Sequence, residues 1–195
     1  MAALTSLTPL HLVLLAQGSA AGLGAAGAFL PLATDRLAQL LGVAPRTLDC
    51  AADPHGAMTQ LTRCPDPWLA ALPLDPGLAL DSGGHWAELL GAWRQPSLLV
   101  LGHDQMATGM PAAGTALLQR WQVPLVGLIQ WGGPWDPDAR RRDGLPWLGC
   151  LEEQPNRQAS RPTDIPAEAL TEVDDEALAL RLRWRWAQLD RLGVA

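Results

Sequence analysis

The stretch Leu10-His-Leu-Val-Leu-Leu-Ala16-Gln-Gly18-Ser19-Ala-Ala-Gly22-Leu-Gly24-Ala25-Ala26 carries the strongest fold signal in the chain. Residues 10–16 are a continuous apolar run bounded by a polar residue and glycine, the pattern of a strand buried on both faces. Gly18 and Gly24 then stand at the spacing of the two glycines in G-x-x-x-x-G-K-[ST], a loop whose backbone N–H groups cradle phosphate. Ala25 and Ala26 occupy the places of the lysine and the hydroxyl residue. All fourteen Lys+Arg residues are arginine, so no lysine elsewhere in the chain can reach in. The stretch has a phosphate loop's glycines and lacks the side chains that give such a loop its chemistry.

Outward from this stretch, the Gly/Ala segment is expected to open a helix that Pro31 breaks or kinks. Thr34 or Asp35 then caps a second piece over 36–41, which Gly42 ends. Residues 46–50 read as a weak second strand. Residues 53–83 are rich in Pro, Asp and Gly and read as irregular, with one short helix at 68–72. A helix over 85–94 presents Trp86, Leu89, Leu90 and Trp93 on one face. The pattern then becomes regular: strand 97–101, helix 112–121, strand 125–129, a turn-rich loop over 130–137 and strand 147–151. Strand, helix and strand of these lengths imply a right-handed parallel crossover. Residues 153–166 read as a linker. A final helix follows, with Asp174 and Asp175 at its positive end and Leu178, Leu182, Trp186 and Leu189 as one stripe. The chain therefore reads as one α/β domain over 1–152, a linker over 153–166 and a C-terminal helix in 167–195 that packs on the domain or on a partner.

Composition narrows the function classes. The net charge is −6 and the sequence pI is about 5.1. Nucleic-acid binding needs a basic face, so no nucleic-acid partner is expected. The clusters Arg140-Arg141-Arg142 and Arg181/Arg183/Arg185 read as solvated surface. Cys50, Cys64 and Cys150 are widely spaced with no C-x-x-C, which fits reduced thiols in the cytoplasm and no zinc motif. There are nine Trp, one Phe and no Tyr; without Tyr and Lys, two general-acid types and any lysine Schiff base are excluded. Residues 8–34 carry no acidic or basic side chain except His11, but Gln17, Ser19, Pro9, Pro31 and several glycines interrupt them. No basic residue precedes them, so a membrane or signal segment is disfavoured.

Residues 96–151 resemble the second half of dethiobiotin synthetase, a family in the P-loop NTPase class that also holds the ParA/MinD-type ATPases. The resembling residues are Pro96-Ser-Leu-Leu-Val-Leu-Gly102, the helix with Ala116-Leu-Leu-Gln119, then Val123-Pro-Leu-Val-Gly-Leu-Ile129 and Leu145-Pro-Trp-Leu-Gly149. The loop at 18–26 matches the family's G-T-D-T-x-V-G-K-T in length and glycine placement. The resemblance implies a three-layer sandwich with a mostly parallel sheet and a nucleotide site at Gly18, Ser19, Gly22, Gly24, Ala25, Ala26, Gln130 and Trp131. The chain departs from the family at functional positions. The phosphate clamp and a magnesium ligand are alanines. The substrate lysine of the second strand is missing, the glutamate-glycine segment has only a loose echo in Asp81-Ser-Gly-Gly84, and Gln130-Trp131 stand where an asparagine reads adenine. These departures argue against ATP-driven ligation with ATP and magnesium.

Four candidate sites follow from the residues. The 18–27 loop could hold a small anion on backbone N–H groups, or serve only as a small-residue turn; its Gly22-Leu-Gly24-Ala-Ala-Gly27 also fits G-x-G-x-x-G. His103 and Asp104, just past a strand end, are the candidate catalytic pair, although adjacent strand residues point to opposite faces. Asp53, His55, Asp81 and His85 could in principle ligate a metal, but their spacing matches no known motif, and no metal is expected. Trp131-Gly-Gly-Pro-Trp135 could be a lid, a partner surface or a packed loop. The favoured expectation is a non-catalytic or weakly ligand-binding protein with a scaffold, regulatory or partner-binding role, including self-association. An unusual ATP-dependent ligase, or a hydrolase or transferase built on His103, stays open as the alternative.

Overall fold

The computed structural model describes residues 9–18, 27–50, 53–81, 83–152 and 167–193, with side chains of the last helix described from Asp175 onward. The chain forms a six-stranded sheet in which every neighbouring pair is parallel, with helices on both faces. The strands are β1 (His11–Ala16), β2 (Ala44–Thr47), β3 (Trp68–Ala71), β4 (Ser97–Gly102), β5 (Leu125–Trp131) and β6 (Trp147–Leu151). The helices are α1 (Leu30–Leu41), α2 (Pro54–Thr62), α3 (Trp86–Ala92), α4 (Met110–Arg120), α5 (Pro137–Arg142) and α6 (Ala167–Arg191).

The strand order is β2-β3-β1-β4-β5-β6. The run at 10–16 is apolar throughout because β1 pairs with β3 on one side and β4 on the other, and both its faces are covered. Leu12, Leu14 and Ala16 pack with α1 and α6, while Val13 and Leu15 point to the layer holding Met58, Trp86, Leu90 and Leu118. This is the period-two alternation of a strand with a core on each side.

Several local expectations are corrected. Pro31 does not break α1, which runs unbroken from Leu30 to Leu41. Proline in the first turn lacks an N–H that would have had no helical partner anyway. Thr34 lies inside this helix, donating Oγ1–H to Leu30 O at 2.7 Å. Gly42 ends the helix with φ 61°, as its position suggested. The second strand lies at 44–47 rather than 46–50; all four residues are exposed, and Pro45 is tolerated on this sheet edge.

Residues 53–83 are less irregular than they read. Asp53 Oδ2 accepts from Gly56 N at 2.8 Å and caps α2, with Pro54 at its first turn. Residues 68–71 are a fully buried strand rather than a helix. Ladders to β1 and β2 on either side override the helical preference of Leu and Ala. Helix α5 begins at the end of the expected loop over 130–137, and the sequence predicts no element over the rest of it: Asp136 caps it by accepting from Asp138 N and Ala139 N.

Helix α6 lies against α1, β5 and β6. Leu178, Leu182, Trp186 and Leu189 are all buried there. Arg36 pairs with Asp175, Arg181 donates to Leu148 O at 2.8 Å, and Arg183 donates to Leu41 O. The expected linker at 153–166 lies outside the described residues. Among the described residues, no helix is long and apolar enough to cross a membrane.

Candidate functional site at the carboxyl edge of the sheet

The topology selects a place before any side chain does. From β1 the chain crosses by way of α1 on one face to reach β2. From β3 and β4 it leaves toward the opposite face, where α3 and α4 pack. The connections therefore diverge at the carboxyl end of β1, the crevice where open parallel sheets bind ligands. Residues 17–18, the turn after β3 and the 103–105 turn after β4 all converge there.

Internal hydrogen bonds hold this crevice together. The backbone N–H of Gly18 donates to Asp75 Oδ2 at 2.6 Å, and the other carboxylate oxygen accepts from Gly77 N at 2.8 Å. Gln105 is buried; its Oε1 accepts from Gly102 N at 2.9 Å and its Nε2 donates to Gln17 O at 3.3 Å. With the Gln17 amide turned so that its nitrogen meets the carbonyl and its oxygen the N–H, it donates to Met110 O at 2.7 Å and accepts from Gly114 N at 3.2 Å. A Cβ on Gly114 would come within 2.9 Å of that amide, so glycine leaves room for the contact. Gln17, Gln105 and Asp75 thus tie the ends of β1, β3 and β4 to one another.

Of the expected phosphate-loop residues, only Gly18 is described; Ser19, Gly22, Gly24, Ala25 and Ala26 lie outside the described residues. The structure places Gln130 at the same sheet edge, nearly fully buried, and its Nε2 donates to Gly132 O at 2.8 Å and Pro134 O at 3.1 Å. Its amide donors shape the following turn. Trp131 belongs to the core beside α1, with its ring stacked at 6.4 Å on Phe29. Farther along the same loop, Trp135 meets Trp147 edge-on at 6.1 Å, and the Arg140 guanidinium lies 5.2 Å above the Trp147 ring. That loop is packed on its own neighbours.

His103 and Asp104 are both exposed in the turn after β4. No hydrogen bond joins their side chains among the described residues. The His103 ring lies against the backbone of Gly133, where a Cβ would come within 2.2 Å of it. A general base needs an orienting partner on its second nitrogen, and the described residues supply none.

An open cleft of about 400 Å³ adjoins the crevice, between the start of α1 and the ends of β2 and β3. Gly27, Pro31, Asp35, Arg46, Thr47 and Pro73 are among its walls. Asp35 and Arg46 are its charged residues, and Arg46 Nη2 also lies 2.9 Å from Cys64 Sγ. Among the described residues it offers an anion one guanidinium, that of Arg46, alongside the Asp35 carboxylate.

A second hollow of about 300 Å³ brings His55 and His85 together with Glu88. Trp93 Nε1–H donates to His55 Nδ1 at 3.3 Å, and Glu88 N–H donates to His85 Nδ1 at 3.2 Å. Each bond occupies the Nδ1 of its ring. Asp53 is occupied as a helix cap and Asp81 is exposed. No group of three or more metal-ligating side chains occurs among the described residues.

Burial, reinforced by the Asp49 carboxylate, pushes the Cys50 thiol from 9.0 up to about 11. It remains a neutral thiol at physiological pH rather than a nucleophile. Asp75 and the glutamine pair Gln17/Gln105 were the residues that motif reading passed over. Their one sequence signal is a polar side chain within a few residues of an apolar strand end. No protein-family model matches the chain, and no curated protein sequence matches it.

Proposed function

We propose that this chain is a non-catalytic, weakly ligand-binding domain of the dethiobiotin-synthetase-like P-loop kind, acting as a scaffold, regulatory or partner-binding protein. The observation that carries this reading is the bond from Gly18 N–H to Asp75. In a phosphate loop the amides at the loop's start turn toward the bound anion. Here the amide at the first glycine faces a carboxylate of the same chain. That carboxylate satisfies the donor and repels an incoming phosphate. The alanines at 25 and 26 and the absence of lysine support the same reading, because transferring a phosphoryl group requires positive charge at the γ-phosphate. The α/β sandwich with its parallel sheet is compatible with the P-loop class, and the class itself rests on the glycine spacing.

Among the described residues, the 400 Å³ cleft with Arg46 on its wall is the place beside the crevice that could take a small anion. A small anion held there by one exposed guanidinium binds weakly, in the range of about 1 mM. Isothermal titration of the full chain with magnesium-ATP and with inorganic phosphate tests the reading. The expected result is no tight binding of either. Micromolar magnesium-ATP binding that Gly24→Leu abolishes would overturn it.

A further inference from the structure

Two opposite charges line the cleft of about 400 Å³ beside the crevice: Asp35, from α1, and Arg46, from β2. Both are exposed, and among the described residues no ion pair joins them. Arg36, the cation next to Asp35 in sequence, is paired with Asp175 instead. The Asp35 carboxylate has no hydrogen-bond partner among the described residues. Arg46 Nη2 lies 2.9 Å from Cys64 Sγ, and a cysteine sulfur is a weak acceptor beside a carboxylate. The rest of the lining includes the buried Leu30, Thr34 and Ala71. Thr34 already donates its hydroxyl proton to Leu30 O, so this part of the wall is mainly apolar.

We infer that this cleft binds a small zwitterion, with an ammonium group for Asp35 and a carboxylate for Arg46 on one short aliphatic skeleton. The inference rests on the reading that a ligand enters this cleft rather than the glycine-rich segment, and it names that ligand's class. A simple anion such as phosphate is drawn to the guanidinium and repelled by the carboxylate. A simple amine meets the reverse. A ligand carrying both signs is attracted twice, and that difference is what selects it. Arginine suits the carboxylate end, because its planar fork can hold both oxygens through parallel N–H bonds. The apolar part of the wall takes the hydrocarbon between the charged ends. A volume of about 400 Å³ lies toward the small end of ligand sites, roughly 300–1,000 Å³, which suits a skeleton of a few carbons. Both charges are exposed, so each contact is weak and water competes for it. The binding is therefore millimolar, and the preference for a zwitterion over a singly charged analogue is severalfold.

Amide chemical-shift titration of the full chain by NMR with norleucine, ε-aminocaproate, caproate and hexylamine provides the test. The four share one chain length and differ only in their charged groups. The better of the two amino acids should bind about threefold or more tighter than caproate and than hexylamine, with shifts centred on residues 28–35 and 46–47. Asp35→Asn should remove the advantage over caproate, and Arg46→Gln the advantage over hexylamine. Both variants should keep the parent's urea midpoint, because both positions are exposed. Caproate or hexylamine binding as tightly as either amino acid, a preference that survives both substitutions, shifts centred elsewhere, or no saturable shift would overturn the proposal. Magnesium-ATP added to the same samples keeps the two readings apart. Micromolar binding of magnesium-ATP overturns the functional reading, whereas a failure of the amino acids alone overturns the zwitterion and leaves that reading standing.

Discussion

Gly18 N–H and the Asp75 carboxylate meet at 2.6 Å across 57 residues of sequence, which fastens the start of the glycine-rich segment to the turn after β3. The same carboxylate accepts from Gly77 N, so one side chain holds two backbone donors from different strand connections. Charge-assisted bonds of this kind are about twice as strong as neutral ones. Asp75→Ala is expected to destabilise the chain by about 1–3 kcal/mol in urea unfolding. Asp75→Asn, which keeps an acceptor and removes the charge, should lose less stability and should bind inorganic phosphate more tightly than the parent. A parallel loss of stability in both variants with no change in phosphate affinity would sink the electrostatic part of this account.

Gln105 should behave as a structural keystone rather than as a catalytic neighbour of His103. Replacing it by Leu leaves Gly102 N–H and Gln17 O without their partner in a buried crevice. The expected cost is about 2–3 kcal/mol, since buried orphaned groups forfeit their desolvation energy. His103→Ala, at an exposed position, should change stability by about 0.5 kcal/mol or less. Urea titrations of the two variants check the contrast, and equal effects would contradict it.

The parts of the fold legible in the sequence are those whose burial is uniform along the element. β1, β4 and β5 are apolar runs because both faces are covered, and their positions could be read from hydrophobicity alone. β3 was not legible: Trp68-Leu-Ala-Ala71 has no period, and its strand identity comes from ladders with β1 and β2 that lie far away in sequence. Helix α2 was hidden because Asp53-Pro54 reads equally as a turn and as a helix start. At the crevice the glycines drew attention while Asp75 did not, because an aspartate in Leu72-Pro-Leu-Asp-Pro76 resembles any turn residue until folding brings Gly18 beside it.

Cys50 should be slow to alkylate. Its thiol is pushed up to about 11 from 9.0, a difference that lowers the thiolate fraction near pH 8 about a hundredfold relative to an unperturbed cysteine. Iodoacetamide labelling followed peptide by peptide should show the rate at Cys50 still rising above pH 9. Replacing Asp49 by Asn should speed it modestly, because burial is the larger of the two causes. A plateau by about pH 10, where an unperturbed thiol levels off, would contradict the assignment.

The acid limb of stability should contain a contribution from Asp136. Its bond from Ala139 N is the largest cause; desolvation opposes it, and the bond from Asp138 N and the charges of Arg142 and Arg140 add to it, so the carboxyl is held below the ordinary 3.8. A depressed carboxyl stabilises the fold above its unfolded pKa and loses that contribution as pH falls through its folded pKa. The stability gap between the parent and Asp136→Ala should therefore be constant near neutrality and narrow only below about pH 4. Urea unfolding at a series of pH values measures this, and a gap that narrows between pH 5 and 7 would point to another group.

The ion pair between Arg36 and Asp175 joins α1 to α6, beside the bond from Arg183 to Leu41 O, and it is mostly buried, with Asp175 at 8% side-chain exposure and Arg36 at 23%. Removing one partner strands the other charge in a poorly solvated place, which is the costly way to break such a pair. Asp175→Ala should therefore lose about 2–4 kcal/mol and free the amides of α6 to exchange faster than those of β1. The paired change Arg36→Leu with Asp175→Leu removes both charges and restores apolar contact beside Leu178 and Leu182, so it should recover most of that loss. Recovery would mean that α6 is held chiefly by its apolar stripe, with the ion pair setting its register. If the double variant is as unstable as the single one, the pair itself carries the docking energy, and the stripe of Leu178, Leu182, Trp186 and Leu189 contributes less than its burial implies.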